Sequence, residues 1–249
     1  MRNSDAEKRV DFLIVGAQKA GTTALFDHLT EIPALELPAV KEAHFFDDED
    51  HVDWAAPDYA SYHAMFTDPA RIWGEATPIY AYWPHAMERI HAYNPAIKLI
   101  FLFRDPIERA WSHWKMEYAR GKENAPFGWC IREGRSRMAA AAPYPGYHRV
   151  YSYVERGFYG RQIARLLDLF PRRQLLILAA EELKNDPTGV IGKTCDFLGV
   201  VPPGGPIAKK RSRLAAEIDY STTLSEMDVI FLQRHYADEM ERFRLLSGC

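Results

Sequence analysis

Cysteine is scarce in this chain of 249 residues, which contains three, at positions 130, 195 and 249. No two of them form a C-x-x-C pair and their number is odd, so neither a disulfide framework nor a zinc site is expected. Long apolar runs are also missing, and no stretch approaches the ~20 residues of a membrane span. The amino-terminal residues are charged and polar, unlike a secretory signal. These absences predict a protein of the reducing cytoplasm with no membrane span.

A large excess of either charge is missing too. The formal net charge is −3, so no global basic field indicates nucleic acid as a partner. Apolar residues make up 47% of the chain, which suffices for a sizeable core. The length and the regular strand–helix alternation fit one α/β domain over residues 1–249. Nothing in the composition indicates an oligomeric state.

The most informative stretch lies near the amino terminus, where an apolar run is followed by a glycine-containing loop. Residues 12–15 are apolar and partly β-branched, which predicts a buried strand that ends at Gly16. From Thr22 onward the apolar residues have helical spacing. A strand, a glycine loop and a helix form a phosphate cradle, because loop amides and the positive end of the helix dipole face the ligand.

The position of the lysine in this loop is unusual. A nucleoside-triphosphate P-loop reads G-x-x-x-x-G-K-[ST], with lysine after the second glycine. This chain reads G-x-x-K-x-G-T-T, so Lys19 precedes Gly21 and lies at the crown of the loop, beside the outer group of a ligand. The alternative is a tight turn with a solvated lysine. The candidate ligand-binding residues are Gln18, Lys19, Ala20, Gly21, Thr22 and Thr23.

A second motif, K-E-A-H-F-F-D, covers residues 41–47. Phe45 and Phe46 are expected to anchor it in the core, which would place an apolar floor beneath its polar residues. A carboxylate held there can have a raised pKa and act as a base near neutral pH. The alternative is a solvated surface loop, which the neighbouring acids favour. The candidate residues are Lys41, Glu42, His44 and Asp47.

Two further motifs follow predicted strands. The first, E-x-T-P-x-Y, makes Glu75 and Thr77 candidates for binding a substrate, with Glu75 also an alternative base. Strand-end turn chemistry around a proline explains it equally well. The second, R-D-P-x-x-R-x-x-S, places Arg104 at the carboxyl end of a strand and Ser112 two helical turns later on the same side. An ion pair between Arg104 and Glu108 is the alternative.

The remaining chain continues the alternation, with one exception. Helices are predicted over 85–93, 106–118, 151–170, 186–198 and 224–246, and strands over 35–37, 71–75, 98–103 and 174–178. Residues 121–150 lack a periodic pattern and carry arginines at 132, 135, 137 and 149, so we expect an acceptor-side lid there. A basic run, Lys209, Lys210 and Arg211, follows a turn-rich link and is either a ligand-closing loop or a solvated face.

Together these motifs resemble the sulfotransferases that use 3′-phosphoadenosine 5′-phosphosulfate, and the 41–47 run resembles their heparan-sulfate type. The resemblance implies a P-loop-like central parallel β-sheet flanked by helices, and we expect a bacterial, cytoplasmic member. It also implies this donor, adenosine 3′,5′-bisphosphate as product and no metal. The acceptor would be the hydroxyl of a saccharide, a small molecule or a carrier-bound intermediate.

Residue by residue, the resemblance implies that the loop holds the 5′-phosphosulfate and that Lys19 neutralises the departing oxygen. Glu42 would be the general base and His44 a supporting residue. Arg104 and Ser112 would bind the 3′-phosphate. In the family the 209–211 run closes over that phosphate with glycines between its basic residues, and this chain lacks those glycines.

Two other functions fit the cradle. The first is a P-loop-type small-molecule kinase, which needs an acid to hold magnesium at a strand end. The predicted strands over 98–103 and 174–178 are followed by Arg104 and Ala179, which argues against it. The second is a nucleotide-binding protein without catalysis.

Overall fold

A five-stranded parallel sheet forms the centre of the computed structural model, which describes residues 8–139, 148–208 and 218–248. The strand order is β2-β3-β1-β4-β5. The strands are β1 Phe12–Gly16, β2 Leu35–Glu36, β3 Ile72–Ala76, β4 Lys98–Phe103 and β5 Leu175–Ala179. The α/β architecture with a parallel central sheet is therefore confirmed.

Strand β1 lies in the middle of this sheet, and every residue in it is buried. Phe12 is in register with Gly74 on β3 and with Lys98 on β4. A strand buried on both faces must be apolar throughout, which is the pattern of residues 12–15. The core that surrounds it contains most of the apolar side chains of the sheet and of the helices packed on it.

Ten α-helices and three short 3₁₀ helices occur in the described part of the chain. The α-helices are α1 Thr22–Leu29, α2 Ala60–His63, α3 Ala86–Tyr93, α4 Pro106–Ala119, α5 Phe127–Cys130, α6 His148–Tyr151, α7 Tyr159–Leu169, α8 Ala180–Asn185, α9 Pro187–Leu198 and α10 Glu226–Ser247. The 3₁₀ helices are Glu133–Ala139, Glu155–Gly157 and Arg172–Gln174. None of the helices in the described ranges is long and apolar enough to cross a membrane.

Helix ends follow the local chemistry of the sequence. Asp105 caps α4 by accepting from the amides of Ile107 and Glu108 at 3.0 and 2.9 Å. Asp186 caps α9 in the same way, and Gly199 ends that helix in the left-handed conformation, with φ 82°. These contacts satisfy backbone groups that a helix terminus otherwise leaves without partners.

The helix predicted over 151–170 was wrong at its start, because α7 begins only at Tyr159. The side chain of Arg156 donates to the carbonyl oxygens of His148 and Arg149, and the chain there forms a 3₁₀ turn over Glu155–Gly157. In the 121–150 region, α5 and a 3₁₀ helix form where no periodic pattern was found, since elements of four to seven residues are too short to show one.

Because all five strands are parallel, their carboxyl ends lie on one edge of the sheet. The loop after β1, the turn after β3 and the start of α4 after β4 all emerge there. Ligands of open α/β sheets bind at this edge. The edge is therefore the place to look for a functional site.

Candidate active site

A cavity of about 890 Å³ opens at the carboxyl edge of the sheet and brings together several motifs that are far apart in sequence. Its walls come from the loop after β1, the segment after β2, the turn after β3, helix α4 and residues 149–156. The predicted site residues among its lining are Gln18, Lys19, Gly21, Thr22, Thr23, Lys41, Glu42, His44, Arg104 and Ser112. Ala20, Asp47, Glu75 and Thr77 are buried and lie outside the lining.

The loop between β1 and α1 has the geometry of an anion cradle. Lys19 and Gly21 both adopt positive φ, 71° and 88°, and Gly21 is the N-cap of α1. Since this conformation is unfavourable for residues with a Cβ, glycine suits the cap position. No side chain of the described residues caps α1, so its first amides are open to a ligand. Burial, with help from the Arg120 charge, lowers the pKa of Lys19.

Glu42 lies between two basic side chains. Its Oε1 accepts from Lys41 Nζ at 2.5 Å, and its Oε2 is 3.6 Å from His44 Nε2. Burial raises the pKa of Glu42, but the His44 hydrogen bond and the Lys41 charge outweigh it and lower that pKa to about 2. The prediction of a raised pKa for Glu42 was therefore wrong, because the side chains of Lys41 and His44 lie beside the carboxylate and stabilise its charged form.

His44 is held from its other side by Asp47. Its Nδ1 lies 2.9 Å from Asp47 Oδ2, and Asp47 is fully buried. The hydrogen bonds to Asp47 and then to Glu42 raise the pKa of His44 to about 9 against the effect of burial. At neutral pH the imidazole is therefore a cation that donates from Nδ1 to Asp47 and lies with Nε2 3.6 Å from the Glu42 carboxylate.

Asp47 in turn is held by Arg149, which lies on helix α6. Arg149 Nη1 donates to Asp47 Oδ2 and Nη2 to the Asp47 carbonyl oxygen, both at 2.5 Å. The guanidinium also lies over the ring of Trp83, 4.3 Å from its centroid. Arg149 therefore closes a line of alternating charges that ends at Glu42.

Glu75, unlike Glu42, does have a raised pKa, as does Glu117 in the cavity lining, and in both carboxylates burial is the main cause. Glu75 is fully buried on β3, and burial raises its pKa to about 7 against the hydrogen bonds from Thr77 and from the amide of Ala43. Its second oxygen, Oε2, has no hydrogen-bond partner in the described part of the chain. A residue at this depth has no surface in the cavity with which to contact an acceptor.

Arg104 and Ser112 line the cavity from α4 and the residue before its cap. The Arg104 guanidinium is also paired with Glu108, at 3.0 Å from Nε and 2.6 Å from Nη2. The two alternatives for Arg104, an ion pair with Glu108 and a place in the ligand site, are therefore compatible, because the paired side chain still lines the cavity. Ser112 follows two turns along the helix and faces the same side, as the spacing predicts.

The lining also contains residues that the motifs did not single out, and four of them are lysine or arginine. Counting Lys, Arg, Asp and Glu, the described lining has seven cations and three acids. The cations are Lys19, Lys41, Arg104, Arg120, Lys122, Arg149 and Arg156, and the acids are Asp27, Glu42 and Glu117. A chain with net charge −3 has thus concentrated positive charge at one edge, as an anion site requires.

Arg156 is the residue that sequence reasoning missed most clearly. It is almost fully buried and donates to the side-chain oxygen of Gln18 in the phosphate loop. Of the four arginines noted in the lid region, only Arg149 lines the cavity. Arg132, Arg135 and Arg137 pair with Asp228, Glu155 and Glu123 respectively. The arginine-rich composition was the available signal, but it does not distinguish these roles.

Lys209, Lys210 and Arg211 lie outside the described residues. Within residues 8–139, 148–208 and 218–248, no three His, Cys, Asp or Glu side chains are arranged to hold a metal ion. Independence from metal stays a prediction.

The fold agrees with the comparisons to known proteins. A family model for the sulfotransferase domain matches residues 9–221. The human heparan sulfate glucosamine 3-O-sulfotransferase 6 is 34% identical over 193 residues, covering 76% of this chain and 52% of its own. The human heparan sulfate glucosamine 3-O-sulfotransferase 3B1 is 30% identical over 188 residues, covering 76% of this chain and 45% of its own.

A crystal structure of a sulfotransferase from Alicyclobacillus acidocaldarius is similar throughout, with a TM-score of 0.80, 27% identity and 96% of both chains covered. The chain therefore belongs to the sulfotransferase family of enzymes. It spans about half the length of the curated relatives that it matches.

Proposed function

We propose that this protein transfers the sulfuryl group of 3′-phosphoadenosine 5′-phosphosulfate to an acceptor hydroxyl. The observation that carries the proposal is that one cavity is lined by the Lys19 loop and by the Glu42 carboxylate, with an excess of positive charge around them. A cradle for a phosphosulfate and a proton acceptor are the two parts that such a transfer needs.

The donor would lie with its 5′-phosphate on the amides of residues 19–23 and on the hydroxyls of Thr22 and Thr23. The uncapped amides of α1 favour this position, because they have no competing side-chain acceptor among the described residues. Arg104 and Ser112 would hold the 3′-phosphate, with the forked guanidinium suited to two phosphate oxygens.

Lys19 would stabilise the leaving group. As the acceptor oxygen bonds to sulfur, the bond from sulfur to the bridging oxygen breaks and negative charge grows on that oxygen. An ammonium at the crown of the loop is suited to meet this charge, and a well-placed donor of this kind supplies ~3–4 kcal/mol. The reaction releases adenosine 3′,5′-bisphosphate, and no metal takes part in the proposed step.

Glu42 would accept the proton of the attacking hydroxyl. Its low pKa keeps it ionised in the free protein, but a base this weak takes a proton reluctantly. We expect the anionic donor to draw Lys41 away from Glu42, which would raise the pKa of the base when the reactants are in place. His44, held by Asp47, would keep the carboxylate oriented.

The acceptor that the comparisons favour is a saccharide hydroxyl, since the relatives in question are named for heparan sulfate glucosamine. The test is a screen with ³⁵S-labelled donor against saccharides, small alcohols and phenols, and carrier-bound hydroxyls, with a chelator present. Label on a saccharide supports the proposal in full. Label on another acceptor supports sulfuryl transfer alone, and no transfer to any acceptor would contradict it.

The kinase alternative predicts phosphate transfer from ATP that needs magnesium, and the same acceptors can be tested for it. Two carboxylates lie near the carboxyl ends of the described strands, and neither lines the cavity: Glu36 on β2 accepts from the amides of Thr67 and Asp68, and Glu75 on β3 is fully buried. A protein that only binds nucleotide would hold adenosine 3′,5′-bisphosphate without turnover.

A further inference from the structure

Five consecutive amides of the segment that carries Glu42 and His44 are held by the end of β3 and the turn after it. The amides of residues 42–46 each donate to an acceptor within residues 75–80. In order, the acceptors are the Ala76 carbonyl at 3.1 Å, Glu75 Oε1 at 3.3 Å, Thr77 Oγ1 at 3.4 Å, and the Tyr80 hydroxyl twice, at 3.0 and 3.4 Å.

This segment needs such support, because it belongs to no helix or strand and its backbone is strained. Glu42 and His44 both have positive φ, 68° and 54°, a conformation that residues with a Cβ rarely adopt. Strained residues persist only where their surroundings over-determine them. The conformation directs Glu42 and His44 into the cavity while Phe45 and Phe46 remain in the core.

The three side chains that supply the acceptors do not touch the cavity. Glu75, Thr77 and Tyr80 are all fully buried and lie outside its lining. Thr77 also donates its hydroxyl proton to Glu75 Oε1, so the acceptors are joined to one another. Glu75 Oε1, Thr77 Oγ1 and the Tyr80 hydroxyl are therefore directed at the backbone of the 42–46 segment and lie outside the cavity lining.

We propose that Glu75, Thr77 and Tyr80 are positioning residues, which hold the backbone of residues 42–46 so that Glu42 and His44 face the reacting groups. This inference rests on the proposed function of Glu42. It explains the E-x-T-P-x-Y motif without any contact to the acceptor molecule. Each of the three polar side chains in the motif accepts from one or two amides of residues 43–46.

Tyr80 offers the sharpest test, because the chain supplies a matched control in Tyr62. Both tyrosines are fully buried in the aromatic cluster around Phe45 and Phe46, with ring centroids 5.6 Å apart for Tyr80–Phe46 and 4.9 Å for Tyr62–Phe45. The Tyr62 hydroxyl has no hydrogen-bond partner in the described part of the chain. Tyr62→Phe therefore removes an equally buried hydroxyl that makes no hydrogen bond to the described residues.

We expect Tyr80→Phe to lower kcat about 10–100-fold, because small misplacements of reacting groups have effects of this size. The KM for the donor should not change, and hydrogen–deuterium exchange of residues 42–46 should accelerate. The acid limb of the pH–rate profile should also move to higher pH, because a displaced Glu42 loses part of the interaction with Lys41 and His44 that lowers its pKa. Tyr62→Phe should match the wild type in all four measurements.

Glu75 gives an independent pair of variants. Glu75→Gln keeps an oxygen that accepts from the Ala43 amide, so this variant should retain most of kcat. Glu75→Leu removes that acceptor, so its kcat should fall. If Glu75→Leu fails to fold, Thr77→Val and its rescue by Thr77→Ser replace that pair.

Equal exchange and equal kcat in Tyr80→Phe and Tyr62→Phe would overturn the inference. If the wild type transfers no sulfuryl group, the proposed function fails, and the exchange comparison alone then decides whether Tyr80 holds the segment.

Discussion

Replacing Glu42 by glutamine tests the proposed chemistry most directly, because it removes one charge and one proton acceptor at almost constant volume. Glu42 is 2.5 Å from the Lys41 ammonium and 3.6 Å from the His44 ring. With a pKa of about 2 it is ionised at neutral pH and can accept a proton. The amide in Glu42→Gln can still accept hydrogen bonds but cannot take a proton from a hydroxyl.

The expected loss of kcat in Glu42→Gln follows from the proposed role of Glu42 as a general base. General-base catalysis contributes about 10²–10⁴-fold, which is about 3–5 kcal/mol at ~1.36 kcal/mol for each tenfold in rate. Nucleotide binding should change in the opposite direction. Removing one of the three acids from a lining with seven cations increases its positive charge, so adenosine 3′,5′-bisphosphate should bind as tightly as before or more tightly.

The assay combines ³⁵S transfer at saturating donor with calorimetric titration of the product nucleotide. Glu49→Gln is a matched control, because Glu49 follows the same segment and is ion-paired with Arg89 at 2.7 Å but lies outside the cavity lining. It should keep the wild-type kcat. A Glu42→Gln variant with kcat close to the wild type would refute Glu42 as the base. Loss of nucleotide binding together with kcat would indicate a structural role.

Three further outcomes are expected. Lys19→Met should lower kcat at saturating donor about 10²–10³-fold in the same transfer assay, and a change confined to donor KM would contradict its leaving-group role. Arg104→Gln and Ser112→Ala should raise donor KM and leave kcat nearly unchanged, as measured by initial rates over a range of donor concentration. The raised pKa of His44 keeps it cationic below about 9, so kcat/KM should fall as pH rises through that value. Asp47→Asn removes the largest contributor to this shift and should move the fall to lower pH in a pH–rate profile.

The same pKa gives a stability prediction with a definite sign. Because the folded protein holds the proton of His44 more tightly than the unfolded chain, the contribution is fully present below the ordinary histidine pKa of about 6.5. It is lost as pH rises from there through about 9. The free energy of unfolding of the wild type should therefore fall over this window, and that of His44→Gln should fall less, as measured by urea titration. Equal slopes for the two proteins would show that His44 is not held as the structure indicates.

Much of the fold could be predicted because its signals are local. The apolar run of β1 and the Asp-Pro pairs at 105–106 and 186–187 each determine structure within a few residues of themselves. The phosphate loop is equally local, since strand, glycine and helix follow one another directly. Short elements such as α5 and α8 were missed because four to six residues do not display a period.

The ionisation of Glu42, the proposed base, could not be predicted in the same way. Apolar neighbours in sequence indicated a raised pKa for Glu42, but that pKa depends on where the Lys41 and His44 side chains lie, which the pattern does not determine. Burial raises the pKa of Glu75, whose depth follows from the pairing of β3 between β1 and β2. Electrostatic environments are properties of the folded arrangement, so residue types alone identify candidates but not their ionisation.

Residues 149–156 show the limit most clearly. Arg156 contacts Gln18 across 138 positions of sequence, and Arg149 contacts Asp47 across 102. The carbonyl oxygen of Arg149 also accepts from Arg156, so hydrogen bonds and ion pairs run without interruption from the phosphate loop to the partner of His44. A sequence pattern cannot pair arginines with sites this distant. The structure does so because α6 and the 3₁₀ turn at Glu155–Gly157 place both side chains over the same edge of the sheet, where the cavity opens.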